Sequence, residues 1–371
     1  MPKQNTSSVK KIIISGGGTG GHIYPAIAIA NTIKELYPDT EILFVGAKNR
    51  MEMQKVPQAG YRIIGLDVVG LQRSLSIENL RFPLKLLYSL KEARNILRDF
   101  KPNVCLGVGG YASGPTLLAA SFLKIPTIIQ EQNSYAGITN KWLGRKARKV
   151  CVAYPQMDKF FPRNKITFTG NPVRKDILEF QDKKLTALHH FGLLENKKTL
   201  LVIGGSLGAR TINMSLLAGV ERLAENDIQV IWQTGKSFLE KAQKAVIDKK
   251  LPQIKVTDFI NRMDLAYAAA DVVISRAGAL SISELCLAAK PAILVPSPNV
   301  AEDHQTKNAK VLAENNAALM VADKHAEAFL VGDAVDLLYD ETLQENLSRN
   351  IRKFAKPNAA EEIVKEITKI W

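Results

Sequence analysis

Short, wholly apolar runs recur along the chain and alternate with longer helical patterns. The first run, residues 11–15, precedes a glycine-rich segment and a helical pattern over residues 23–37. Apolar runs of this length are typical of strands that are buried on both faces of a parallel sheet. Further strands of this kind are predicted at residues 41–46, 104–108, 127–130 and 150–153. Alternating buried strands and helices indicate a doubly wound α/β sheet.

The same opening recurs about half a chain later. An apolar run at residues 199–203 is followed by a glycine-rich segment, residues 204–208, and by a helical pattern over residues 209–223. Strands are predicted next at residues 229–233, 271–275, 292–295 and 318–321. We therefore predict an α/β fold with two Rossmann-like, doubly wound parallel-sheet domains that face a central cleft.

Glycine and proline interrupt the pattern at residues 169–173, and a domain boundary is expected there. The predicted domains are residues 1–170 and residues 171–340. Residues 341–371 have helical patterns and end in apolar positions. We expect these last helices to pack back on the N-terminal domain.

Composition narrows the class of protein. The 371 residues are 46% hydrophobic and 23% charged, which is the composition of a globular protein. A net charge of +14 favours an anionic partner, such as nucleic acid, an acidic membrane surface or a phosphorylated substrate. The three cysteines form no C-x-x-C pair, so we expect buried thiols rather than disulfides or a zinc site. Without a signal-peptide or membrane-spanning pattern, a cytoplasmic protein with peripheral membrane contact is expected.

A glycine loop, Gly16 to Gly21, lies between the first predicted strand and the first helix. Such a loop lets backbone N–H groups at a helix N-terminus approach an anion. It contains the spacing G-x-G-x-x-G, but the acid that a dinucleotide site needs after the second strand is absent. His22 follows the loop directly and is either a general base or a residue that binds or packs at the helix start.

Polar residues also follow later predicted strands. Ser206 lies in the second glycine loop, where its hydroxyl could donate to a phosphate oxygen. Ser281 and Glu284 have the spacing of a capping box, although Glu284 could instead accept hydrogen bonds from ribose hydroxyls. Asp303 or Gln305 could bind sugar hydroxyls, or could begin an ordinary solvated helix.

Basic and apolar residues lie together in the first half of the chain. Residues 141–149 hold five basic residues beside Trp142 and no acid, and residues 71–101 hold seven basic residues against three acidic ones. Leu75, Leu87 and neighbouring apolar residues accompany them. Basic residues around an apolar patch suit an anionic membrane surface, whereas a buried apolar face with solvated charges is the alternative.

Seven motifs together resemble those of the MurG family of glycosyltransferases. They are GGGTGGHIYPA at residues 16–26, GGYASGP at 109–115, EQN at 131–133, TGNPVR at 169–174, GGSLGAR at 204–210, RAGALSISE at 276–284 and DHQTKNA at 303–309. The resemblance implies GT-B architecture and an inverting transfer of N-acetylglucosamine from UDP-GlcNAc to lipid I. The acceptor would be the 4-hydroxyl of the N-acetylmuramyl group, and the product would be lipid II, for peptidoglycan synthesis.

The resemblance also implies where the protein acts. A MurG-like enzyme is peripheral at the cytoplasmic face of the inner membrane, where an anionic membrane surface and other cell-wall synthesis and division proteins are its expected partners. Nucleic acid is not among them. Neither a cofactor nor a metal is implied, and no D-x-D metal motif is present in the loops.

His22, from its place directly after the first glycine loop, would be the catalytic residue. The resemblance implies binding roles for further residues. The donor would be bound by Thr19, Gly20, Gly21, Asn133, Arg174, Ser206, Ile260, Ala279, Leu280, Ser281, Ile282, Ser283, Glu284 and Gln305. The acceptor would be bound by Gly17, Gly18, Tyr111, Ser113 and Gly114. Residues 1–170 would then face the acceptor and the membrane, and residues 171–340 would bind UDP-GlcNAc.

The chain departs from the family pattern at Gln130, where MurG sequences often have histidine. Glutamine cannot accept a proton at neutral pH, which favours His22 as the base. Three other classes compete with a transferase. A nicotinamide oxidoreductase would need an acid after the second strand, which this chain lacks. A hydrolysing UDP-GlcNAc epimerase would share the fold but would not account for the basic apolar surface. A nucleic-acid-binding protein would account for the positive charge but not for two phosphate-binding loops.

Overall fold

A computed structural model of the protein describes residues 9–68 and 82–371. The chain divides into two compact units, which we describe separately. The first unit comprises the chain up to Val173 together with Asn358–Trp371, and the second unit comprises Arg174–Pro357. The two Rossmann-like parallel-sheet domains predicted from the alternating pattern are confirmed, because each unit is built on a parallel sheet flanked by helices.

The first unit contains a seven-stranded parallel sheet in the order β3-β2-β1-β4-β5-β6-β7. Its strands are β1 Lys11–Ser15, β2 Glu41–Ala47, β3 Arg62–Leu66, β4 Val104–Gly107, β5 Thr127–Glu131, β6 Lys149–Val152 and β7 Ile166–Phe168. Its first five helices are α1 Gly20–Leu36, α2 Glu52–Gln58, α3 Phe82–Phe100, α4 Ser113–Phe122 and α5 Ile138–Gly144. The strand order reverses direction at β1 and β4, so the loops after these strands open at the same edge.

The central strand β1 shows why the apolar runs predict buried strands. Ile12, Ile13 and Ile14 are all fully buried. Ile12 and Ile14 belong to the apolar layer that includes Ile29 of α1, whereas Ile13 belongs to the layer on the other face of the sheet. Because successive side chains of a strand point to opposite faces, a sheet covered on both sides needs apolar residues at every position.

The second unit contains a six-stranded parallel sheet in the order β10-β9-β8-β11-β12-β13. Its strands are β8 Thr199–Ile203, β9 Gln229–Gln233, β10 Ile254–Thr257, β11 Val272–Ser275, β12 Ala292–Leu294 and β13 Leu319–Met320. Its helices are α6 Lys184–Phe191, α7 Arg210–Glu225, α8 Leu239–Asp248, α9 Met263–Ala269, α10 Ala279–Ala288, α11 His304–Ala313, α12 Ala326–Tyr339 and α13 Glu341–Arg352. The glycine loop at 204–208 joins β8 to α7, as the repeated pattern predicts.

The prediction that residues 341–371 pack as one segment on the N-terminal domain is wrong for their first half. Helix α13 belongs to the second unit, where Leu347 and Ile351 are buried. It begins directly after α12, with the Asp340 carboxylate accepting a hydrogen bond from the Leu343 N–H at 2.8 Å, so the short connection keeps it beside α12. The final helix, α14 Ala359–Thr368, packs on α1 in the first unit, and the ring of Trp371 meets Tyr37 edge-on.

Helix α1 begins earlier than the pattern predicts. Its first residue is Gly20, inside the glycine run, with Thr19 as N-cap, and not residue 23. Pro25 therefore lies in the second turn, where it cannot donate the helical hydrogen bond to the Gly21 carbonyl. The three cysteines are free and buried, as predicted. Within residues 9–68 and 82–371, no helix combines the length and apolar character needed to cross a membrane.

Candidate active site

The first glycine loop is fixed to its neighbours by its own backbone. The N–H of Gly16 donates to the Val45 carbonyl at 3.2 Å, and that of Gly17 to the Gly109 carbonyl at 3.3 Å. The Gly18 N–H donates to a carboxylate oxygen of Glu52 at 2.9 Å. These three N–H groups therefore donate to acceptors within the protein. The N–H groups at the α1 N-terminus that could bind an anion are those of Thr19 to Gly21.

His22 lies in the first turn of α1 and is half-buried. Its Nδ1 is 3.1 Å from the Gly17 carbonyl oxygen and 3.4 Å from the Thr19 hydroxyl. Burial lowers the pKa of His22 from its usual 6.5, although the hydrogen bond to Gly17 and the negative charge of Glu52 act in the opposite direction. We assign the proton of the neutral ring to Nδ1, since a carbonyl can only accept. Nε2 then carries a free lone pair and is chemically able to accept a proton.

The loop after β4 lies against the first glycine loop. Gly109 and Gly110 both have positive φ, and a Cβ on Gly109 would be 2.8 Å from His22 Nε2. Tyr111 is half exposed. Ser113, at the start of α4, is fully buried and its hydroxyl donates to the Gly110 carbonyl at 3.0 Å. The predicted acceptor residue Ser113 therefore offers a ligand its backbone, while its side chain holds the loop.

The residues after β5 form a buried polar network. Glu131 is 2% exposed and accepts hydrogen bonds from the Asn133 N–H at 3.1 Å, the Gly137 N–H at 3.2 Å and Asn140 Nδ2 at 2.8 Å. Burial raises the pKa of Glu131. This carboxyl group shapes the loop that carries the predicted donor residue Asn133.

Gln130, the departure from the family pattern, is fully buried in β5. Its Nε2 donates to Asn171 Oδ1 at 2.8 Å, and its Oε1 accepts from Gln132 Nε2. Gln132 also donates to the Val108 carbonyl at 2.6 Å. At this position the side chain connects β5 to the segment that ends the first unit, which is a structural role that glutamine can fill.

Glu284 is the most distinctive group of the second unit. Helix α10 has Gly278 as its N-cap, so Ser281 lies inside the first turn and the capping box that the spacing suggests does not form. Glu284 is 8% exposed and accepts a hydrogen bond from the buried Tyr267 hydroxyl at 3.1 Å. Burial raises the pKa of Glu284 to about 7, and the positive charge of Arg174 opposes that rise. The structure thus brings the positive charge of Arg174 near Glu284.

The second glycine loop exposes the Ser206 side chain. Gly205 and Gly208 have positive φ, and the Gly205 carbonyl accepts from the Gly208 N–H at 2.9 Å and from Gln233 Nε2 at 2.9 Å. A Cβ on Gly208 would overlap the Thr234 carbonyl. The loop is therefore held from beneath by β9 and presents the Ser206 hydroxyl to solvent or to a ligand.

Two further residues that the resemblance predicts for the UDP-GlcNAc site are Ile260 and Gln305. Ile260 is 4% exposed with its side chain in the apolar core, so its backbone is the part that a ligand could contact. Gln305, in the first turn of α11, accepts from the Ser297 N–H at 2.9 Å through Oε1, which turns its amide nitrogen toward other partners. Glu302 and Asp303, just before α11, both have positive φ. Asp303 holds the N-cap position of α11 without a side-chain cap bond in the described part of the chain.

Two family models match the chain. The glycosyltransferase family 28 N-terminal domain matches residues 12–152, and the glycosyltransferase family 28 C-terminal domain matches residues 199–366. A relative from Parabacteroides distasonis, named UDP-N-acetylglucosamine–N-acetylmuramyl-(pentapeptide) pyrophosphoryl-undecaprenol N-acetylglucosamine transferase, is 57% identical over 97% of this chain and 98% of its own length. A Bacteroides fragilis relative of the same name is 55% identical over 99% and 97%. The crystal structure of Acinetobacter baumannii MurG has a TM-score of 0.78 at 31% identity, covering 97% of this chain and 99% of that one.

The chain belongs to the MurG branch of glycosyltransferase family 28. A UDP-GlcNAc 2-epimerase from Neisseria meningitidis shares the fold with a TM-score of 0.66, but it is only 17% identical over 97% of this chain and 100% of that one. That likeness concerns the fold alone. It explains why an epimerase is a reasonable alternative from the pattern of strands, and why the motifs decide between the two.

Within the MurG-family chain, the predicted residues fall into two groups, one in each unit. The first unit contains the loop and helix start from Gly17 to His22, the loop from Tyr111 to Gly114, and Asn133. The second unit contains Arg174, Ser206, Ile260, Gln305 and the start of α10 from Ala279 to Glu284. Sequence reasoning missed Glu52 and Tyr267, because neither lies in a motif. In the described residues, no three His, Cys, Asp or Glu side chains cluster as metal ligands.

Proposed function

We propose that this chain transfers N-acetylglucosamine from UDP-GlcNAc to the 4-hydroxyl of the N-acetylmuramyl group of lipid I, which gives lipid II and UDP. The observation that supports it most is the 52–57% identity, over nearly the full length, to relatives named for this transfer. The reaction fits the two groups of residues, one able to accept a proton and the other able to bind a nucleotide.

The second unit would bind the donor. Glu284 would accept hydrogen bonds from the two ribose hydroxyls, and the Ile260 backbone would hold the uracil. Ser206 and the start of α10, Ala279 to Ser283, would meet the diphosphate, since a helix N-terminus favours negative charge. Gln305 would use its amide nitrogen on a sugar hydroxyl, and Arg174 would lie near the nucleotide. When the glycosidic bond breaks, the N–H groups at the start of α10 would stabilise the negative charge that develops on the diphosphate of UDP.

The first unit would bind the acceptor and supply the base. Thr19, Gly20, Gly21 and Asn133 would reach the donor sugar, while the loops that contain Gly17, Gly18, Tyr111, Ser113 and Gly114 would bind the acceptor pyrophosphate. The acceptor hydroxyl would give its proton to His22 Nε2 as its oxygen attacks the anomeric carbon. A single displacement inverts that carbon and needs one base and no protein nucleophile.

An assay of UDP release tests the transfer directly. The protein is incubated with UDP-GlcNAc and lipid I, or a short-chain analogue, and the disaccharide product is identified by mass spectrometry. UDP release that depends on the acceptor is expected. Release of UDP without acceptor, with formation of a free hexosamine, would instead identify a hydrolysing epimerase and contradict the proposal.

The role of His22 is tested separately. His22→Asn keeps a polar group near the Gly17 carbonyl but removes the proton acceptor, so kcat should fall by roughly 10²–10⁴-fold while the affinity for UDP stays unchanged. His190→Asn is the control, because that histidine is exposed on α6. Wild-type turnover in His22→Asn would remove the base assignment without affecting the proposed transfer.

We also propose that the first unit docks peripherally on the anionic, cytoplasmic face of the inner membrane. An aromatic–basic surface, formed by Phe122, Ile138, Trp142 and Lys146, supports this: the three apolar side chains are 50–71% exposed. Lys146 Nζ lies 5.5 Å from the Phe122 ring centroid and 5.4 Å from that of Trp142. Basic and apolar groups combined in this way favour an anionic lipid surface. Part of the surface predicted from sequence, residues 71–81, lies outside the described residues.

Co-sedimentation with vesicles tests the membrane contact. Arg145→Glu/Lys146→Glu should weaken binding to anionic vesicles, and binding of the wild type should fall as salt is added. Lys149 is left unchanged, because it lies 4.0 Å from the buried Glu366 carboxylate. The control, Lys244→Glu/Lys250→Glu, makes the same charge change at exposed positions of the second unit. Equal binding of all three proteins would contradict this surface.

A further inference from the structure

Glu52 is a buried acid that the transfer chemistry above does not use. It is the first residue of α2 and is 1% exposed. One carboxylate oxygen accepts from the Ala47 N–H at 3.0 Å, and the other accepts from the Gly18 N–H at 2.9 Å. A single side chain therefore connects the end of β2 to the first glycine loop.

Two glycines leave the space that this carboxylate occupies. A Cβ on Gly17 would overlap the Glu52 carboxyl group, and a Cβ on Gly46 would be 2.6 Å from Glu52 Cγ. Gly46 has no positive φ, so its lack of a side chain is explained by Glu52 and not by a turn. The glycines of the loop and of β2 are thus fitted to one acidic side chain.

The chemistry of the contact calls for a carboxylate specifically. Both oxygens face N–H donors, and an ionised carboxylate is the side-chain group that accepts at both ends. A glutamine at this position would turn its NH₂ toward one of the two donors and leave that N–H unpaired. An unpaired buried donor is more costly than an average hydrogen bond is stabilising, so the loop would shift.

The charge of Glu52 also reaches His22. Among the described residues that act on the imidazole, Glu52 of α2 is the charged one; the β1 loop contributes Gly17 and Thr19, and the β4 loop contributes Gly109. A negative charge favours the protonated imidazole and raises its pKa. Removing that charge should therefore lower the pKa of His22 further.

We propose that Glu52 is a positioning residue of the transfer reaction, whose carboxylate fixes the glycine loop at Gly18 and so sets the place of His22. Its effect on the reaction rests on the proposed role of His22 as the base. A loop fixed in this way has its conformation set before a ligand arrives, which reduces the ordering cost of binding.

The first test uses Glu52→Gln, Glu52→Asp and the control Glu41→Gln. Glu41 pairs with Lys11 at the opposite end of β2, about 20 Å away for six residues of strand, and its substitution makes the same charge change. Hydrogen exchange should be faster for at least one of the Gly18 and Ala47 amides in Glu52→Gln, by roughly tenfold or more, and unchanged for both in Glu41→Gln. Unchanged exchange in Glu52→Gln would overturn the proposal.

The second test separates position from charge. In Glu52→Gln, NMR titration should show a lower pKa for His22, and the acid limb of kcat/KM should move to lower pH. Glu52→Asp keeps the charge but shortens the reach, so acceptor KM should rise by roughly ten- to a hundredfold while the His22 pKa stays near that of the wild type. An unchanged His22 pKa in Glu52→Gln would contradict the effect of the Glu52 charge on the imidazole.

The outcomes also distinguish this inference from the base assignment. Faster exchange and a lower His22 pKa, with an unmoved acid limb, would support Glu52 as the residue that holds the loop and contradict His22 as the base. If Glu52→Gln fails to fold, Gly17→Ala probes the same contact from the loop side, because its Cβ displaces the carboxylate. Gly17→Ala should then give the faster exchange at Gly18 and Ala47, and normal exchange there would overturn the proposal.

Discussion

Donor binding should depend on pH through one buried carboxyl group. Burial raises the pKa of Glu284 to about 7 in the unliganded protein. If Glu284 binds the ribose as proposed, the ribose hydroxyls donate to its ionised form, so UDP-GlcNAc should bind that form in preference and its affinity should rise with pH. With a pKa of about 7, roughly a tenth of the groups are ionised at pH 6 and roughly nine-tenths at pH 8. The affinity should therefore increase about tenfold between these pH values, which is about 1.4 kcal/mol.

Isothermal titration with UDP-GlcNAc measures this change. The sugar nucleotide is preferable to UDP, because its diphosphate is a diester with no terminal phosphate to titrate near neutral pH. Proton release on binding at about pH 6.5 is expected, and it is read from buffers with different ionisation enthalpies. Glu284→Gln should bind more weakly, and its affinity should no longer change with pH. Glu327→Gln is the control, because Glu327 is exposed on α12.

The same pKa makes a prediction for the protein without ligand. The folded-state pKa of Glu284 is raised above the ordinary 4.5, so the neutral form is favoured in the folded state. The stability this contributes is fully present below pH 4.5 and is lost as the pH rises through about 7. The loss corresponds to about 3 kcal/mol, at about 1.36 kcal/mol for each pH unit between 4.5 and about 7. The donor-binding prediction has its own decisive result. If the affinity of the wild type for UDP-GlcNAc does not change with pH, the reasoning about Glu284 is refuted, whatever the absolute affinity.

Three further substitutions have defined outcomes. Tyr267→Phe removes the hydroxyl that lowers the pKa of Glu284, so the midpoint of the pH dependence of donor binding should move to higher pH; an unmoved midpoint would contradict the contact. Asp264→Asn removes the buried partner of Arg262 and should destabilise the protein by about 2 kcal/mol in urea unfolding, since the arginine is half exposed; a loss below about 0.5 kcal/mol would contradict it. Gly208→Ala places a Cβ against the Thr234 carbonyl at φ +78° and should weaken UDP-GlcNAc binding at least tenfold in isothermal titration; an unchanged affinity would contradict the proposed role of this loop.

The sheet could be predicted from the sequence where strands are buried on both faces. The predicted central strands are confirmed to within one or two residues, because every position of β4 and β8, and every position of β1 after Lys11, is apolar or small. The three strands that were missed, β3, β7 and β10, are flanking strands with partly exposed residues. These strands lie at the edges of their sheets and are not buried on both sides, so they need fewer apolar residues. Arg62 interrupts the apolar run in β3, and Lys255 interrupts it in β10.

The glycine loops could be predicted from sequence, and the residues that hold them could not. A glycine run after a strand is visible locally, whereas Glu52 opens a short helix in a stretch of mixed polar residues. Its signal is the space left by Gly17 of the first glycine loop and Gly46 of β2, and neither glycine is recognisable from the sequence as a neighbour of Glu52. The capping-box spacing at Ser281 and Glu284 misleads because Gly278, and not Ser281, is the N-cap of α10.

The buried carboxylates of Glu131, Glu52 and Glu284 differ in how many protein hydrogen-bond donors they accept from. This number distinguishes the two that hold loops from the one that is suited to a ligand. Glu131 accepts from four protein donors and Glu52 from two backbone N–H groups, so both carboxylates are engaged in holding loops. Glu284 accepts from the Tyr267 hydroxyl alone among the described residues, and an ionised carboxylate has about four acceptor positions. A buried carboxylate with unused acceptor capacity is costly until a ligand supplies donors. Two ribose hydroxyls would meet that need, which is the physical reason to assign the nucleotide to Glu284 rather than to either of the other two acids.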